Sequence, residues 1–344
     1  MKQIQVKPPC RIRRSCFFIM LLTLISLSSG AVWSCHESVN GPTSEPVRVI
    51  FDTDIDSDID DVGALAMLYN LHKQSQVNLL GVVVTSDDPY APTCVSVLNK
   101  YYGFGNLPIG FLDDQPALKN HSRYTRQLSE EYTHELPSWQ EAETAAATYR
   151  KLLAESPDHS VIIITVGHLS SLEKLLKSGA DEFSSYDGKT LVNAKVQKWV
   201  CMGGQFPEGK EANFYRPDPA STIYCLEHWE KEVVFSGWEI GNAILTGNIE
   251  LKNGLSVHHP VRRGYELYNN FAGRASWDQT AVFLLVPQSS DFFDFENNGR
   301  CMVNPDGSNY WKWGEKSHHY FLKFKKNVDL TEISRQITGL MIGE

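Results

Sequence analysis

The sequence has little cysteine and no surplus of basic residues, and both shortages exclude classes of protein. Only seven of its 344 residues are cysteines, and no two of them have the CxxC spacing that is typical of zinc sites. Asp and Glu outnumber Lys and Arg by 41 to 32, which gives a formal net charge of −9. So acidic a chain is unsuited to binding nucleic acid or an anionic membrane surface. We therefore expect a small-molecule partner and no nucleic-acid partner.

The sequence also lacks an apolar run long enough for a transmembrane helix. A shorter apolar run near the amino terminus has the pattern of a secretory signal peptide. Five basic residues precede the apolar stretch 16–27, which is too short for a transmembrane helix with these flanks. A short membrane anchor is the alternative interpretation. Removing residues 1–34 moves the formal charge from −9 to −14, because the segment holds five basic and no acidic residues. The mature protein is thus expected to be exported and more acidic still.

The residue that follows the predicted signal peptide suggests a lipid anchor. Val32-Trp33-Ser34-Cys35 is similar to a bacterial lipobox, although Trp33 fits that pattern poorly. We expect either a periplasmic or outer-membrane lipoprotein anchored at Cys35 or a simply secreted protein, with residues 35–46 as a tether. Four cysteines then remain in the folded part, and buried free thiols are expected there, although export would permit one disulfide.

From residue 47 onward, apolar strand-like runs alternate with amphipathic helical patterns. The runs are nearly continuous and rich in β-branched residues, which is typical of strands buried on both faces. They cover residues 47–51, 77–85, 107–111, 161–166, 195–202 and 233–235, and the helical patterns cover residues 62–68, 93–102, 144–154, 169–176, 219–229, 240–245 and 329–342. This order predicts one α/β domain over residues 47–344, with an open, mostly parallel central sheet and helices on both faces.

Three polar stretches interrupt this pattern. Residues 113–140 and 204–217 are irregular, and we interpret them as candidate active-site loops. Residues 297–316 predict a hydrophilic turn with aromatic anchors at Trp311 and Trp313.

A cluster of aspartates follows the first predicted strand. Six of the ten residues from Asp52 to Asp61 are aspartate. They lie between a strand and a helix, and ligands bind at the carboxyl ends of strands in open α/β sheets. Because so many carboxylates repel one another, a hard cation with oxygen ligands is the usual remedy. The sequence therefore predicts a metal site, with calcium or magnesium as the ion.

The aspartate loop alone fits more than one kind of protein. An EF-hand would need glycine and glutamate where Ser57 and Gly63 stand, so that interpretation fails. A phosphatase of the haloacid-dehalogenase type, with Asp52 as nucleophile, stays open on this loop alone. A nucleoside hydrolase also fits, since its first strand ends in D-T-D and its next helix opens with D-D.

Four motifs in order favour the last of these. The chain resembles the inosine–uridine-preferring nucleoside hydrolase family from Val47 to about residue 290, as a divergent, secreted bacterial member. The first matching block is Asp52-Thr53-Asp54 with Asp60-Asp61, and the second is Val166-Gly167-His168-Leu169 for T-G-P-L. The third is Met202-Gly203-Gly204 with Glu211-Ala212-Asn213-Phe214-Tyr215 and Asp218-Pro219 for M-G-G, E-F-N-x-Y and D-P, and the fourth is Trp277-Asp278 for H-D. The loop between Asp54 and Asp60 is two residues longer than the common form of the family.

The resemblance implies a calcium site and a general base. Asp54, Asp61 and Asp278 would hold Ca²⁺ together with the backbone carbonyl of Val166. Asp54 would also take the proton of the attacking water, and the surrounding carboxylates would stabilise an oxocarbenium-like ribosyl centre.

The resemblance also implies how the substrate is held. Asp60, Glu211 and Asn213 would bind ribose hydroxyls, and Asp88 is a candidate ribose or metal contact. Trp277 stands where many members place a histidine that protonates the leaving base. An indole is not a general acid at neutral pH, but it could stack on a base. Other candidates for assisting the leaving group are His168, Trp238, Glu239, His121, Tyr124 and His134.

These inferences together predict a calcium-dependent enzyme of nucleoside salvage. It would hydrolyse the N-glycosidic bond of ribonucleosides or related ribosides and release free base and ribose. One alternative is a non-catalytic lipoprotein that binds nucleosides or sugars on the same fold. The phosphatase is a second alternative, weakened because no lysine or second acidic pair is evident at later strand ends. The sequence leaves open whether the subunits form a homo-oligomer.

Overall fold

A computed structural model describes residues 45–112 and 118–344 of the chain. Residues Glu45–Glu344 belong to one compact unit. The predicted signal peptide, Cys35 and the tether up to residue 44 lie outside the described residues. Among the helices that are described, none combines the length and the apolar character needed to cross a membrane.

The core of the fold is a nine-stranded sheet in the order β11-β14-β8-β6-β5-β1-β2-β3-β4. All neighbouring strands in it are parallel except the edge pair β11 and β14, which is antiparallel. The strands of the described residues are β1 Val47–Thr53, β2 Val77–Val84, β3 Ile109–Phe111, β4 Glu143–Thr144, β5 Val161–Thr165, β6 Val196–Met202, β7 Glu208–Gly209, β8 Glu232–Ser236, β9 Leu245–Thr246, β10 Arg274–Ala275, β11 Phe293–Glu296, β12 Gly299–Val303, β13 Asn309–Trp313 and β14 His319–Phe324.

Helices cover both faces of this sheet, because successive residues of a buried strand point to opposite sides. Val49 and Phe51 belong to one apolar cluster, and Ile50 between them belongs to the other. The helices are α1 Asp60–Lys73, α2 Ala91–Tyr102, α3 Thr125–Glu131, α4 Ala145–Ala154, α5 Ser170–Lys177, α6 Gly188–Lys195, α7 Ala212–Tyr215, α8 Pro219–His228, α9 Trp238–Asn242, α10 Ile249–Gly254, α11 Pro260–Asn269, α12 Trp277–Phe283 and α13 Leu330–Ile342, with 3-10 turns at Trp139–Glu141 and Pro287–Asp291. The predicted fold class, an open and mostly parallel sheet between two layers of helices, is confirmed.

The strand order reverses between β1 and β5, which is where ligands bind in sheets of this kind. The chain runs from β1 outward through β2, β3 and β4, and then returns to place β5 on the other side of β1. The aspartate loop leaves β1 at this point, and Val166, Gly167 and His168 leave β5 beside it. A Cβ on Gly167 would lie 2.7 Å from the backbone nitrogen of Asp54, so only glycine permits the two loops to approach so closely.

The segment 297–316 is not the hydrophilic turn that the sequence predicts. It forms the antiparallel hairpin of β12 and β13, and β13 also pairs with β7. Only Gly299 and Cys301 of β12 and Asn309 and Trp311 of β13 are buried, so one side of the hairpin is open and its mixed composition resembles that of a loop. Trp311 packs inside against Phe206 and Phe321, whereas Trp313 is exposed.

Buried free thiols are confirmed within the described part of the chain. Cys94 lies on α2, Cys201 on β6, Cys225 on α8 and Cys301 on β12, and each is buried and unpaired with another cysteine.

Candidate active site

A cleft of about 350 Å³ opens at the strand-order reversal, at the carboxyl edge of the sheet. Eight of the nine side chains or carbonyls predicted from the sequence as site residues lie in its wall. The wall consists of Asp54, Ser57, Asp58, Asp60, Asp61, Val166, His168, Met202, Lys210, Glu211, Ala212, Asn213, Tyr215, Arg216, Trp238, Arg274, Trp277 and Asp278.

Three buried carboxylates meet at the floor of the cleft. Asp60 and Asp61 are the first two residues of α1, and Asp278 lies at the start of α12, which packs against α1. One oxygen of each lies within 4.8 Å of the other two. The backbone N–H of Asp278 donates to Asp60 Oδ2 at 3.2 Å, and the hydroxyl of Thr53 donates to Asp61 Oδ1. The group therefore includes Asp60, which the sequence predicts as a ribose ligand.

The electrostatics of this group fit a divalent cation. Burial raises the pKa of Asp61 and of Asp278 well above the usual range, and the charges of neighbouring aspartates raise both further. Burial also raises the pKa of Asp60 to about 7. Of the two arginines in the cleft wall, Arg274 is hydrogen-bonded to Asp58. Three converging buried carboxylates are the oxygen donor set that hard cations require.

Asp54 lies next to this group at the end of β1. Burial raises its pKa well above the usual value, and the charge of Asp61 is the second cause. Because Asp54 lines the cleft in a partly exposed position, its carboxylate could accept a proton from a water molecule or a substrate there.

Asn213 and Glu211 are held by backbone groups at the opposite wall. The side-chain amide of Asn213 donates to the carbonyl of Val166 at 2.8 Å and to that of Met202 at 3.3 Å. Glu211 caps α7 through the N–H of Asn213 at 2.9 Å and also accepts from the N–H of Gly204 at 3.0 Å. Burial raises the pKa of Glu211 to about 7. Both side chains are thus fixed in direction where they face the cleft.

Asp88 is the predicted site residue that the structure does not bring to the cleft. Its Oδ1 accepts from the backbone N–H of Tyr90 at 2.8 Å. Its Oδ2 accepts from Asn120 at 2.9 Å and from Thr125 at 3.0 Å. The carboxylate therefore organises the segment after β2 and has no place among the cleft residues.

Asp52, the nucleophile of the phosphatase interpretation, also lies outside the cleft wall. It is buried and accepts hydrogen bonds from Thr85 at 2.5 Å and from Tyr149 at 2.6 Å. Burial raises its pKa to about 7. A carboxylate held in this way is a structural element between strands and helix, and it is not presented to a ligand in the cleft.

Two of the candidates for leaving-group assistance line the cleft, namely His168 and Trp238. The other four are engaged elsewhere. Glu239 accepts from the N–H of Phe206, His121 pairs with Asp56, Tyr124 donates to the carbonyl of Asp58, and His134 contacts the carbonyl of Leu136.

The structure also adds residues that sequence reasoning missed. Lys210 and Arg216 flank the block that matches E-F-N-x-Y, and Tyr215 is the last residue of that block, so the motif could have indicated all three. Arg274 had no such signal. It reaches the cleft because β10 pairs with β9, and its guanidinium lies 4.7 Å from the ring centre of Trp277.

Comparisons with known proteins agree with this geometry. A family model described as inosine-uridine preferring nucleoside hydrolase matches residues 49–331. A solved inosine-uridine preferring nucleoside hydrolase from Bacillus anthracis is similar at 16% identity and a TM-score of 0.64, over 87% of this chain and 100% of that one. The plant nucleoside hydrolase PpNRh1 is similar at 16% identity and a TM-score of 0.62, again over 87% of this chain and 100% of that one. The type III effector XopQ, solved with adenosine diphosphate ribose, is similar at 14% identity and a TM-score of 0.62, over 87% of this chain and 94% of that one. No curated protein sequence matches the chain.

Proposed function

Since the chain belongs to the inosine-uridine preferring nucleoside hydrolase family and is therefore an N-glycosyl hydrolase, we propose that it cleaves ribonucleosides or related ribosides with the help of Ca²⁺. The products would be free base and ribose. The observation that carries the proposal is the buried group of Asp60, Asp61 and Asp278 at the floor of the cleft, with Asp54 beside it.

Asp54, Asp61 and Asp278 would hold the ion together with the carbonyl of Val166, and Asp60 is close enough to support them. When bound, the cation would neutralise part of the carboxylate charge and make a water molecule more acidic. The remaining chemistry belongs to side chains of the chain itself.

Asp54 is suited to the role of general base. Its carboxylate is at the cleft surface, and burial together with neighbouring negative charge raises its affinity for a proton. In the reaction it would take a proton from the attacking water, whose oxygen forms a bond to the anomeric carbon.

The negative cleft is suited to the sugar as it becomes positive. As the C–N bond breaks, positive charge develops at the ribosyl centre, and Asp54, Asp60 and Glu211 would stabilise it electrostatically. Because Glu211 and Asn213 are fixed by backbone hydrogen bonds, they would hold the ribose hydroxyls without first having to become ordered.

The test is release of free ribose by the full-length protein from a panel of purine and pyrimidine nucleosides. We expect release that stops when a chelator is added and resumes with Ca²⁺. Adenosine diphosphate ribose belongs in the panel, because XopQ was solved with it and because Lys210 and Arg216 in the cleft suit a phosphate. For this compound the product to measure is free adenine, because its ribose stays attached to the diphosphate. No release from any riboside would contradict the proposed substrate class.

We also propose that the protein is exported and serves nucleoside salvage outside the cytoplasm, with a lipid on Cys35 in the lipoprotein case. The support is the basic and apolar pattern of residues 1–34. An intact-mass measurement on protein from a producing bacterium checks this. A mature chain that begins at residue 35 with added acyl mass supports the lipoprotein. A chain that retains residues 1–34 contradicts export by cleavage.

A further inference from the structure

The position before Asp278 is where the family pattern has a histidine that protonates the departing base, and Trp277 stands there. The structure places a different cationic group beside it. Arg274, on β10, lines the same cleft, and its guanidinium carbon lies 4.7 Å from the ring centre of Trp277 and 6.0 Å from that of Tyr268. Stacking on two aromatic faces restricts the plane of the guanidinium.

A carboxylate from the aspartate loop fixes one end of this arginine. Arg274 Nη2 donates to Asp58 at 2.8 Å, and the hydroxyl of Tyr268 donates to the same carboxylate at 2.6 Å. Asp58 lies in the loop between Asp54 and Asp60, which is two residues longer than the common family form. The longer loop therefore supplies the residue that anchors the arginine.

The rest of the guanidinium is not saturated by the protein. Arg274 Nε is buried and has no hydrogen-bond partner among residues 45–112 and 118–344. Nε is shielded from the cleft by the protein, so a ligand would have to approach the outer nitrogens of the guanidinium. The side chain of Arg274 is 33% exposed and lines the cleft, which leaves room for a substrate atom to do so.

We propose that Arg274, anchored by Asp58 and stacked on Trp277, stabilises the leaving group by hydrogen bonding in place of protonation by a histidine. The inference rests on the proposed function and adds how the leaving group departs. A guanidinium keeps its proton at any ordinary pH, so it cannot act as a general acid. It can stabilise negative charge that develops on the base during bond breaking.

The step balances without a further reactant. The C–N bond breaks and its electron pair goes to the departing base, which leaves as an anion hydrogen-bonded to Arg274. The water oxygen forms the new bond to the anomeric carbon, and its proton goes to Asp54. The released anion then takes a proton from solvent. The enzyme would therefore favour ribosides whose leaving group carries negative charge well and accepts N–H hydrogen bonds.

The test compares two substrates whose leaving groups differ in how much stabilisation they need. Inosine has a leaving group that needs stabilisation, whereas 4-nitrophenyl riboside releases a phenolate that is stable alone. In R274Q, we expect kcat/KM for inosine to fall by about 100- to 1000-fold and that for the nitrophenyl riboside by less than about 10-fold. D58N should also lower kcat/KM for inosine more than that for the nitrophenyl riboside, but by a smaller factor than R274Q.

The matched control is R263Q. Arg263 has similar exposure, at 30% against 33% for Arg274, and also pairs with a carboxylate at 2.8 Å, but it lies outside the cleft wall. We expect both substrates to be unaffected there. R274K serves if R274Q does not fold, because it retains the charge but loses the planar set of donors, and it should lose inosine turnover selectively.

Equal losses on both substrates would overturn the inference and give Arg274 a structural role in the cleft wall. So would a loss on inosine below about threefold in R274Q. If the unchanged protein releases ribose from no N-riboside, the proposed function fails and the inference fails with it. Normal turnover by the unchanged protein with equal losses in the variant contradicts the inference alone.

Discussion

Adjacent aspartates of one loop have different surroundings, and the difference decides what each can do. Asp52 accepts hydrogen bonds from Thr85 and Tyr149 below the cleft, whereas Asp54, two residues later, lines the cleft itself. Residues two apart in a strand point to the same side, so the difference arises because β1 ends at Thr53 and Asp54 lies in the loop beyond it. One substitution at each position separates structure from chemistry.

Asp54→Asn should reduce kcat/KM for nucleosides by about 100- to 10,000-fold, because an amide cannot accept the proton of the attacking water. In the presence of chelator, the thermal midpoint should stay close to that of the unchanged protein, since the carboxylate is not part of the apolar core. Ribose release with Ca²⁺ and a thermal melt with chelator check this. Near-normal turnover in the variant would remove Asp54 from the mechanism.

Asp52→Asn should have the opposite profile. Asn can accept only through its oxygen, so one of the two hydroxyl hydrogen bonds is lost, which costs about 1–3 kcal/mol of unfolding free energy. Urea unfolding measures the loss, and kcat/KM per folded molecule should change little. An unchanged unfolding free energy would show that Thr85 and Tyr149 do not depend on this carboxylate.

Among the structural elements, the hairpin of β12 and β13 braces the loop that carries Glu211. The side chain of Asn309 accepts from the N–H of Gln205 at 2.9 Å and donates to its carbonyl at 2.8 Å. The backbone N–H of Trp311 donates to the carbonyl of Pro207 at 2.7 Å. The direction of Glu211 in the cleft thus depends on a hairpin about a hundred residues further along the chain.

Asn309→Ala should therefore raise KM for nucleosides more than it lowers kcat, since the loop that positions Glu211 loses two hydrogen bonds. A loss of about 1–3 kcal/mol in unfolding free energy should accompany it. Asn304→Ala is the matched control, because Asn304 is exposed and its side chain donates to Ser308 within the hairpin turn. A change in kcat alone, or equal effects in both variants, would argue against the bracing role.

The histidine that caps the N-terminus of helix α11, His259, is held neutral. His259 Nδ1 accepts from the backbone N–H of Val261, and the ring packs edge-on against Tyr101 and Tyr102. Burial lowers the pKa of His259 from 6.5 to about 4. Its neutral form contributes stability above pH 6.5, and that contribution is lost as the pH falls toward 4, because the unfolded chain binds the proton first.

His259→Asn should make stability less sensitive to acid in this window. Asn keeps the capping acceptor but does not titrate. Chemical unfolding at pH 7 and at pH 4.5 should give a smaller difference for the variant than for the unchanged protein. Identical differences would show that another group controls the acid response.

For the whole molecule, the carboxylate group links metal binding to folding. If Asp61 and Asp278 bind Ca²⁺ in the folded state only, the ion stabilises the protein by about 2.7 kcal/mol at a concentration 100 times its Kd. Chelator should lower the thermal midpoint and Ca²⁺ should restore it. Asp278→Asn should abolish most of this shift, and a shift that persists in the variant would place the ion elsewhere.

The sequence predicted the sheet and most of the cleft because the information is local. Apolar runs define the strands, and residues such as Asp54, Val166 and Asn213 stand directly at strand ends or helix starts. Arg274 and the hairpin of β12 and β13 were not predictable in this way. The first reaches the cleft through pairing of two-residue strands. The second consists of short strands that mix polar and apolar residues, a composition that is also typical of loops.

The four buried cysteines give the molecule a built-in set of probes for local opening. Cys94 lies in one apolar cluster, and Cys201, Cys225 and Cys301 lie on three different elements of the other. Burial raises the pKa of each thiol, so none reacts while its surroundings stay closed. The rate at which a thiol reagent labels each cysteine therefore reports how often the surrounding region opens locally. The order of labelling would rank these parts of the fold by local stability.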